Sequence, residues 1–257
     1  MATVLSADEI KRVKGLGFLH NKGTDAFSAR ILTVNGKVTP KQLACVAEAA
    51  ALYATGDVTF TSRQTMEVQG VPFDKIEVFR AHLAQAGLET GGTGPRVRPI
   101  VCCKGSTCLY GRIDTFALAE KIHQRFYTGY HDVSLPHKFK IAVGGCPNNC
   151  VKPDLNDLGV IGQRVQAYDS AVSQIGYKVV LGGFWGKRGR RGLDVPMIFT
   201  SEDETLDVIE KAILLYRECG KSGERFGMMI ERLGFEEVVR HLLSDAILER
   251  KSTILGA

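Results

Sequence analysis

The chain has 257 residues, 44% hydrophobic and 24% charged, which places it among folded globular proteins and outside the disordered and fibrous classes. Its net charge of +5 is small and evenly spread, with no basic stripe interleaved with aromatics, so composition makes no case for nucleic acid. No apolar run approaches the ~20 residues that cross a bilayer. The early charges Asp8, Glu9, Lys11, Arg12 and Lys14 leave no signal-peptide core, so a cytoplasmic protein off the membrane is expected.

In chain order, residues 1–24 are polar with a short helical look. Phe27 to Val34 reads as a strand closed by the turn Asn35-Gly36. Thr39, Pro40 and Gln42 then form a helix start: N-cap, first-turn proline and capping box, for a helix running to about Ala54. Val58 to Val68 reads as a second strand, with the polar Ser62-Arg63-Gln64 in its middle, and Phe73 to Ala86 as a second helix. The Gly-rich stretch Gly91 to Pro95 is the expected boundary between an N-terminal domain, residues 1–91, and a second domain, residues 95–257.

Beyond that boundary, Val97 to Cys102 and Lys138 to Val143 read as strands and Thr115 to Tyr127 as a helix. Leu158–Ile161 and Tyr177–Leu181 add two short strands. Ser201 and Glu204 form a second capping box, opening a helix, and Phe226 to Leu243 is a last helical region. Strands and helices mix without strict alternation, which favours an α+β fold over a doubly wound sheet.

The chemistry concentrates in the cysteines. There are seven, an odd number in a chain of cytoplasmic character, which argues for metal or redox use over a disulfide framework. Cys102-x5-Cys108 is followed after 37 residues by Cys146-x3-Cys150. Each short interval lets one loop supply two thiolates of a 4Fe–4S cluster. Gly144-Gly145 allows close backbone approach before the second pair. A structural zinc site is the alternative, although zinc pairs are usually spaced by about two to four residues; buried free thiols are another. Cys45, Cys103 and Cys219 fall outside the quartet, and Cys45 and Cys103 read as small packed thiols.

This spacing resembles the signature of the sirohaem-dependent sulfite and nitrite reductases. Neighbouring strings resemble the same family in order: FTSRQTMEVQGV at 60–71, RPIVCC at 98–103, LPHKFK at 135–140, DLGVIG at 157–162, then YKVVLGG and GERFG. The resemblance covers roughly residues 25 to 245 and implies a ferredoxin-like half-domain followed by a domain binding sirohaem and a 4Fe–4S cluster. It implies that Cys102, Cys108, Cys146 and Cys150 hold the cluster and that the Cys150 thiolate bridges it to the sirohaem iron.

By the same resemblance, Arg63, Arg98, Lys138 and Lys140 line the face where the oxyanion binds, and Arg63 and Arg98 also contact cofactor. Cations there neutralise charge on departing oxygens and pass protons. Two lysines two residues apart on a strand share a face. Sirohaem carries eight carboxylates, so Arg188, Arg190 and Arg191 in the run Lys187–Arg191 are further candidates, against the plainer reading of a solvated loop. His137 and Glu67 depart from the pattern of assimilatory members, which bears on fine specificity.

No second cysteine set and no flavin or nicotinamide fingerprint is present, so a separate electron-donor protein is expected. The expected reaction is six-electron reduction of sulfite to sulfide. The alternatives are nitrite reduction, an electron-transfer or sensor protein without oxyanion turnover, and a corrinoid-pathway relative. Larger members join two homologous halves, whereas this chain has one half carrying both cysteines and cations, so a homodimer with shared sites is expected.

Overall fold

The computed structural model describes residues 5–166 and 173–256, so the first four residues of the charged N-terminus lie outside the described residues. The chain divides into two compact units, Met1–Gly94 and Pro95–Ala257, each with its own apolar core, and the fold is α+β.

The first unit is a four-stranded antiparallel sheet in the order β1-β2-β4-β3, built from β1 (Phe18–His20), β2 (Ala26–Ile31), β3 (Val58–Phe60) and β4 (Met66–Pro72). Helices α1 (Ala7–Gly15), α2 (Pro40–Tyr53) and α3 (Ile76–Ala84) accompany it. Phe18, Phe27, Met66 and Phe79 are fully buried in its core. At the start of α2 the Thr39 hydroxyl accepts from Gln42 N–H while Gln42 returns an acceptor to Thr39 N–H, the capping box read from sequence.

One expected strand is two. Residues 58–68 fold as a hairpin, and Arg63 stands in its turn rather than in a strand. The turn contains no glycine or proline. Thr61 Oγ1 accepts from Arg63 N–H (3.1 Å) and Thr65 N–H (3.3 Å), and Gln64 adopts φ 58°.

The second unit holds a five-stranded sheet, β5-β6-β7-β8-β9, from β5 (Val101–Cys102), β6 (Ile141–Gly144), β7 (Leu158–Gln166), β8 (Ser173–Leu181) and β9 (Leu193–Phe199). β5, β6 and β7 are parallel; β8 and β9 continue the sheet antiparallel. Helices α4 (Thr115–Ile122), α5 (Glu202–Cys219), α6 (Phe226–Leu233) and α7 (Phe235–Leu243) follow, with short α8 (Ala246–Glu249) and α9 (Lys251–Leu255). The Ser201–Glu204 capping box opens α5, as the sequence indicates. The last helical region is broken at Gly234, where φ is 92°, a conformation glycine adopts without strain.

Two expected strands are shorter than read. Pro99 lacks the N–H that a ladder needs, so the 97–102 stretch keeps only an isolated bridge at Val97 before β5. Lys138 and Lys140 precede β6, because the Lys140 N–H is taken by the Asp157 carboxylate (2.9 Å) rather than by a neighbouring strand.

Candidate functional site

Both cysteine pairs emerge from the C-terminal ends of adjacent parallel strands. β5 ends at Cys102, which lies opposite Val143 of β6, and the two following loops lock together. Cys103 N–H donates to Val143 O (3.1 Å), Gly145 N–H to the Cys103 sulfur (3.1 Å) and Arg112 N–H to Gly145 O (2.8 Å). A Cβ on Gly145 would stand 2.8 Å from Gly105 Cα, so the loops meet backbone to backbone.

The first loop is tied to the start of α4. Asp114 caps that helix, accepting from Ala117 N–H (3.0 Å), and the Thr115 hydroxyl donates to Cys103 O (2.6 Å). In the second loop, Asn149 and Lys152 take left-handed backbone conformations, φ 57° and 51°. Asn149 Nδ2 donates to Asp154 Oδ1 (2.7 Å), and Asn156 Nδ2 to Lys152 O (2.9 Å), which holds this turn in place. Cys102 is buried, Cys108 and Cys146 are half-buried and Cys150 is exposed, and none of the four is in a disulfide.

Among the described residues no group of three or more His, Cys, Asp or Glu side chains converges on one point as ligands of a single ion would. Four thiols on two interlocked loops are a donor set of the kind a cubane takes, one thiolate to each iron. The outsiders differ. Cys103 accepts the Gly145 N–H, and burial pushes the Cys45 and Cys219 thiols above their ordinary pKa.

The basic residues separate into groups. Phe139 is buried and pairs through backbone with the 96–98 segment: Arg98 N–H donates to Phe139 O (2.8 Å) and Phe139 N–H to Arg96 O (3.0 Å). Lys138 and Lys140 flank Phe139 and are half-buried. Burial first, then the charges of Arg225 and Arg98, hold the Lys138 ammonium below the ordinary lysine pKa; Asp157 acts the other way. The same causes, with Lys138 added, depress His137, whose Nδ1 accepts from Lys138 N–H (2.7 Å).

Lys138 also lines a cleft of about 670 Å³ with Phe184, Trp185, Arg188, Arg190 and Arg225. The loop carrying Trp185 and Arg188 is closed by paired backbone bonds between Phe184 and Arg190 (3.0 and 2.8 Å). The volume is in the range of small-molecule sites, and its aromatic and cationic lining suits a flat polycarboxylate. Arg191 is elsewhere. Its Nε donates to Asp154 Oδ2 (2.7 Å), beside Pro147 and Asn149 in a separate cleft of about 460 Å³. Arg63 belongs to the other unit.

Two residues with no assigned role in the sequence reading stand out. Asp157 is fully buried and accepts from Lys140 N–H and from Arg225 Nη2 at both oxygens (2.9 Å each). Burial pushes its carboxyl up, with Arg225 and Lys140 opposing. Both lie in strings that carry the family resemblance, Asp157 opening DLGVIG and Arg225 within GERFG, but the resemblance gave neither a role.

Residues 93–248 match the nitrite and sulphite reductase 4Fe-4S domain, and residues 20–86 the nitrite/sulfite reductase ferredoxin-like half domain. The coenzyme F420-dependent sulfite reductase of Methanocaldococcus jannaschii is 27% identical over 82% of this chain and 42% of its own length. The assimilatory ferredoxin-dependent nitrite reductase of Haloferax mediterranei is 26% identical over 85% of this chain and 40% of that protein. The chain thus spans less than half of either relative. In fold it is similar to dissimilatory sulfite reductase I, with TM-score 0.75, 18% identity, and coverage of 85% of this chain and 69% of that one. It is also similar to the Mycobacterium tuberculosis NirA protein, with TM-score 0.80, 18% identity, and coverage of 95% and 48%.

Proposed function

The chain belongs to the nitrite and sulphite reductase family, and from that premise we propose that it reduces sulfite to sulfide by six electrons, with nitrite as the competing oxyanion. The observation that carries this reading is the pair of interlocked loops presenting Cys102, Cys108, Cys146 and Cys150 from adjacent parallel strand ends. In this reading a 4Fe–4S cluster and a sirohaem, when bound, supply electrons and an iron on which the oxyanion is reduced.

The remaining chemistry falls to the chain's own side chains. The four thiolates would hold the cluster, and Cys150 would also serve the sirohaem. Arg63, Arg98, Lys138 and Lys140 bind the oxyanion, counter the charge on oxygens leaving as water, and deliver protons. Lys138 is suited to proton donation because its depressed pKa makes its ammonium a stronger acid than an exposed lysine. Arg188 and Arg190 address cofactor carboxylates from the cleft they share with Lys138. Arg191, the third member of that proposed set, lines the separate cleft with its partner Asp154.

The domains proposed for these roles are residues 1–91 and 95–257. Electrons come from a separate donor protein, and two copies pair so that the cysteines of one face the cations of the other. Anaerobic purification from cells that make sirohaem, followed by iron and sulfide analysis and a reduced-dye assay with sulfite and nitrite in competition, tests the reading. About four cluster irons and one haem-type iron per chain, with sulfite turnover, are expected. A zinc-only protein inert to both oxyanions would refute it.

A further inference from the structure

Arg225 is held from one side only. Its Nη2 donates to both oxygens of Asp157 (2.9 Å each), and its guanidinium carbon lies 5.4 Å from the centroid of the Phe184 ring. No other acceptor among the described residues bonds to it, and its Nε is buried without a partner. A guanidinium offers five N–H donors in a planar fork, and leaving buried donors unanswered is costly. A pair built only to neutralise Asp157 would have no use for this spare capacity.

The surroundings point the same way. Five cations, Lys138, Lys187, Arg188, Arg190 and Arg225, line the cleft against one lining carboxylate, Glu231. Glu231 is occupied by Arg190 (2.5 Å). Asp157, meanwhile, links three parts of the chain. Its carboxylate takes the Lys140 N–H and the Arg225 fork, and its carbonyl takes Gly182 N–H (2.8 Å), two residues before Phe184. One buried side chain therefore sets the backbone of the lysine segment and the orientation of Arg225.

We propose that Arg225 is an anion-contacting residue of this cleft and that Asp157 is its positioning residue. The chemistry recognised is carboxylate or oxyanion. The source is either the carboxylates of a tetrapyrrole or a small oxyanion, and the assignment rests on the family reading only for that choice.

Trp185 is the only tryptophan of the chain and lines this cleft, so its emission reports what enters. The full chain, produced in a host unable to make sirohaem, is titrated with uroporphyrin, a porphyrin with eight carboxylates, and separately with sulfite. Wild type is compared with Arg225→Lys, Arg225→Gln, Asp157→Asn and the double variant Asp157→Asn/Arg225→Gln. The double variant leaves no uncompensated buried charge, so it is expected to melt close to wild type and separates lost binding from lost folding.

Arg225→Gln and the double variant should weaken anion binding about tenfold or more, equivalent to about 1.4 kcal/mol, with most of the affinity kept in Arg225→Lys. Asp157→Asn discriminates by sign. If Asp157 were merely the counter-ion, removing its charge would free the cation and tighten anion binding; as a positioning residue, its loss weakens binding. A ranking seen with uroporphyrin assigns the contact to cofactor carboxylates, and one seen with sulfite alone assigns it to the small oxyanion. Silent Trp185 emission in wild type, or a folded double variant that binds both probes like wild type, would overturn the proposal. Oxyanion reduction by the cofactor-loaded chain is measured apart. An inactive enzyme with the ranking intact refutes the reductase reading alone, and an active enzyme with a flat ranking refutes the Arg225 assignment alone.

Discussion

Gly145→Ala tests whether the two cysteine loops must touch. The added Cβ would stand 2.8 Å from Gly105 Cα, 3.3 Å from Thr115 Cγ2 and 3.4 Å from the Cys103 sulfur. Carbon atoms pack at about 3.5–4.0 Å, so the Gly105 backbone must retreat by roughly an ångström. It cannot turn aside as a long side chain would. Overpacking of this kind costs about 1–3 kcal/mol. At about 2–4 °C per kcal/mol for a domain of this size, melting should fall by about 2–12 °C. The same displacement strains the Gly145 N–H bond to the Cys103 sulfur and the Arg112 N–H bond to Gly145 O, moving one cysteine pair against the other. Cluster content should therefore fall to half or less, read as iron and acid-labile sulfide per chain. Gly15→Ala is the control, since nothing lies within 4 Å of its Cβ position. A Gly145→Ala protein with full iron content and an unchanged melting point would refute the argument that this contact sets the site.

Lys138→Ala and Lys140→Ala should each slow oxyanion reduction tenfold or more with the cofactor spectrum preserved; full activity in either removes it from the site. Cys150→Ser should disturb the spectra of both cofactors, and a change confined to one would end its assignment as the shared ligand. The oxyanion KM should rise with pH from below the ordinary lysine range, because Lys138 loses its proton early through burial and the charges of Arg225 and Arg98, with Asp157 opposing. Arg225→Gln should move that inflection upward, and an unmoved inflection would show that another group titrates. Glu210 of α5 is buried and accepts from Arg125, Tyr130 and Lys251. Burial raises its pKa, but these bonds outweigh it and leave the carboxyl below its ordinary value. Its contribution is thus present above about pH 4.3, the unfolded value, and lost as pH falls through the folded pKa. Glu210→Gln should cost about 1–3 kcal/mol at neutral pH and flatten the acid limb in urea melts; an acid limb identical to wild type would exclude Glu210 as its source.

What could be read from the sequence was local. The capping boxes at Thr39 and Ser201 satisfy orphan N–H groups within three residues, so residue type and spacing suffice to place them. The cysteine intervals were legible for the same reason. What escaped depended on partners far along the chain or on turns made without the usual residues. The hairpin at Arg63 uses threonine hydroxyls and a left-handed Gln64 in place of glycine or proline. β9 was hidden by Pro196, which is tolerated there because β9 is an edge strand with one side free of ladder bonds. The lysine segment alternates as a strand does. The alternation is real, since Phe139 is buried between half-buried lysines, but the ladder is broken by a carboxylate 17 residues away. Asp157 and Arg225 are 68 residues apart and meet only because β7 and α6 both reach this end of the unit. A residue whose role is to position others has its identity fixed by what it touches. Asp157 and Arg225 lie in strings that the family resemblance picks out, DLGVIG and GERFG, but the contact between them is made only by the folded chain.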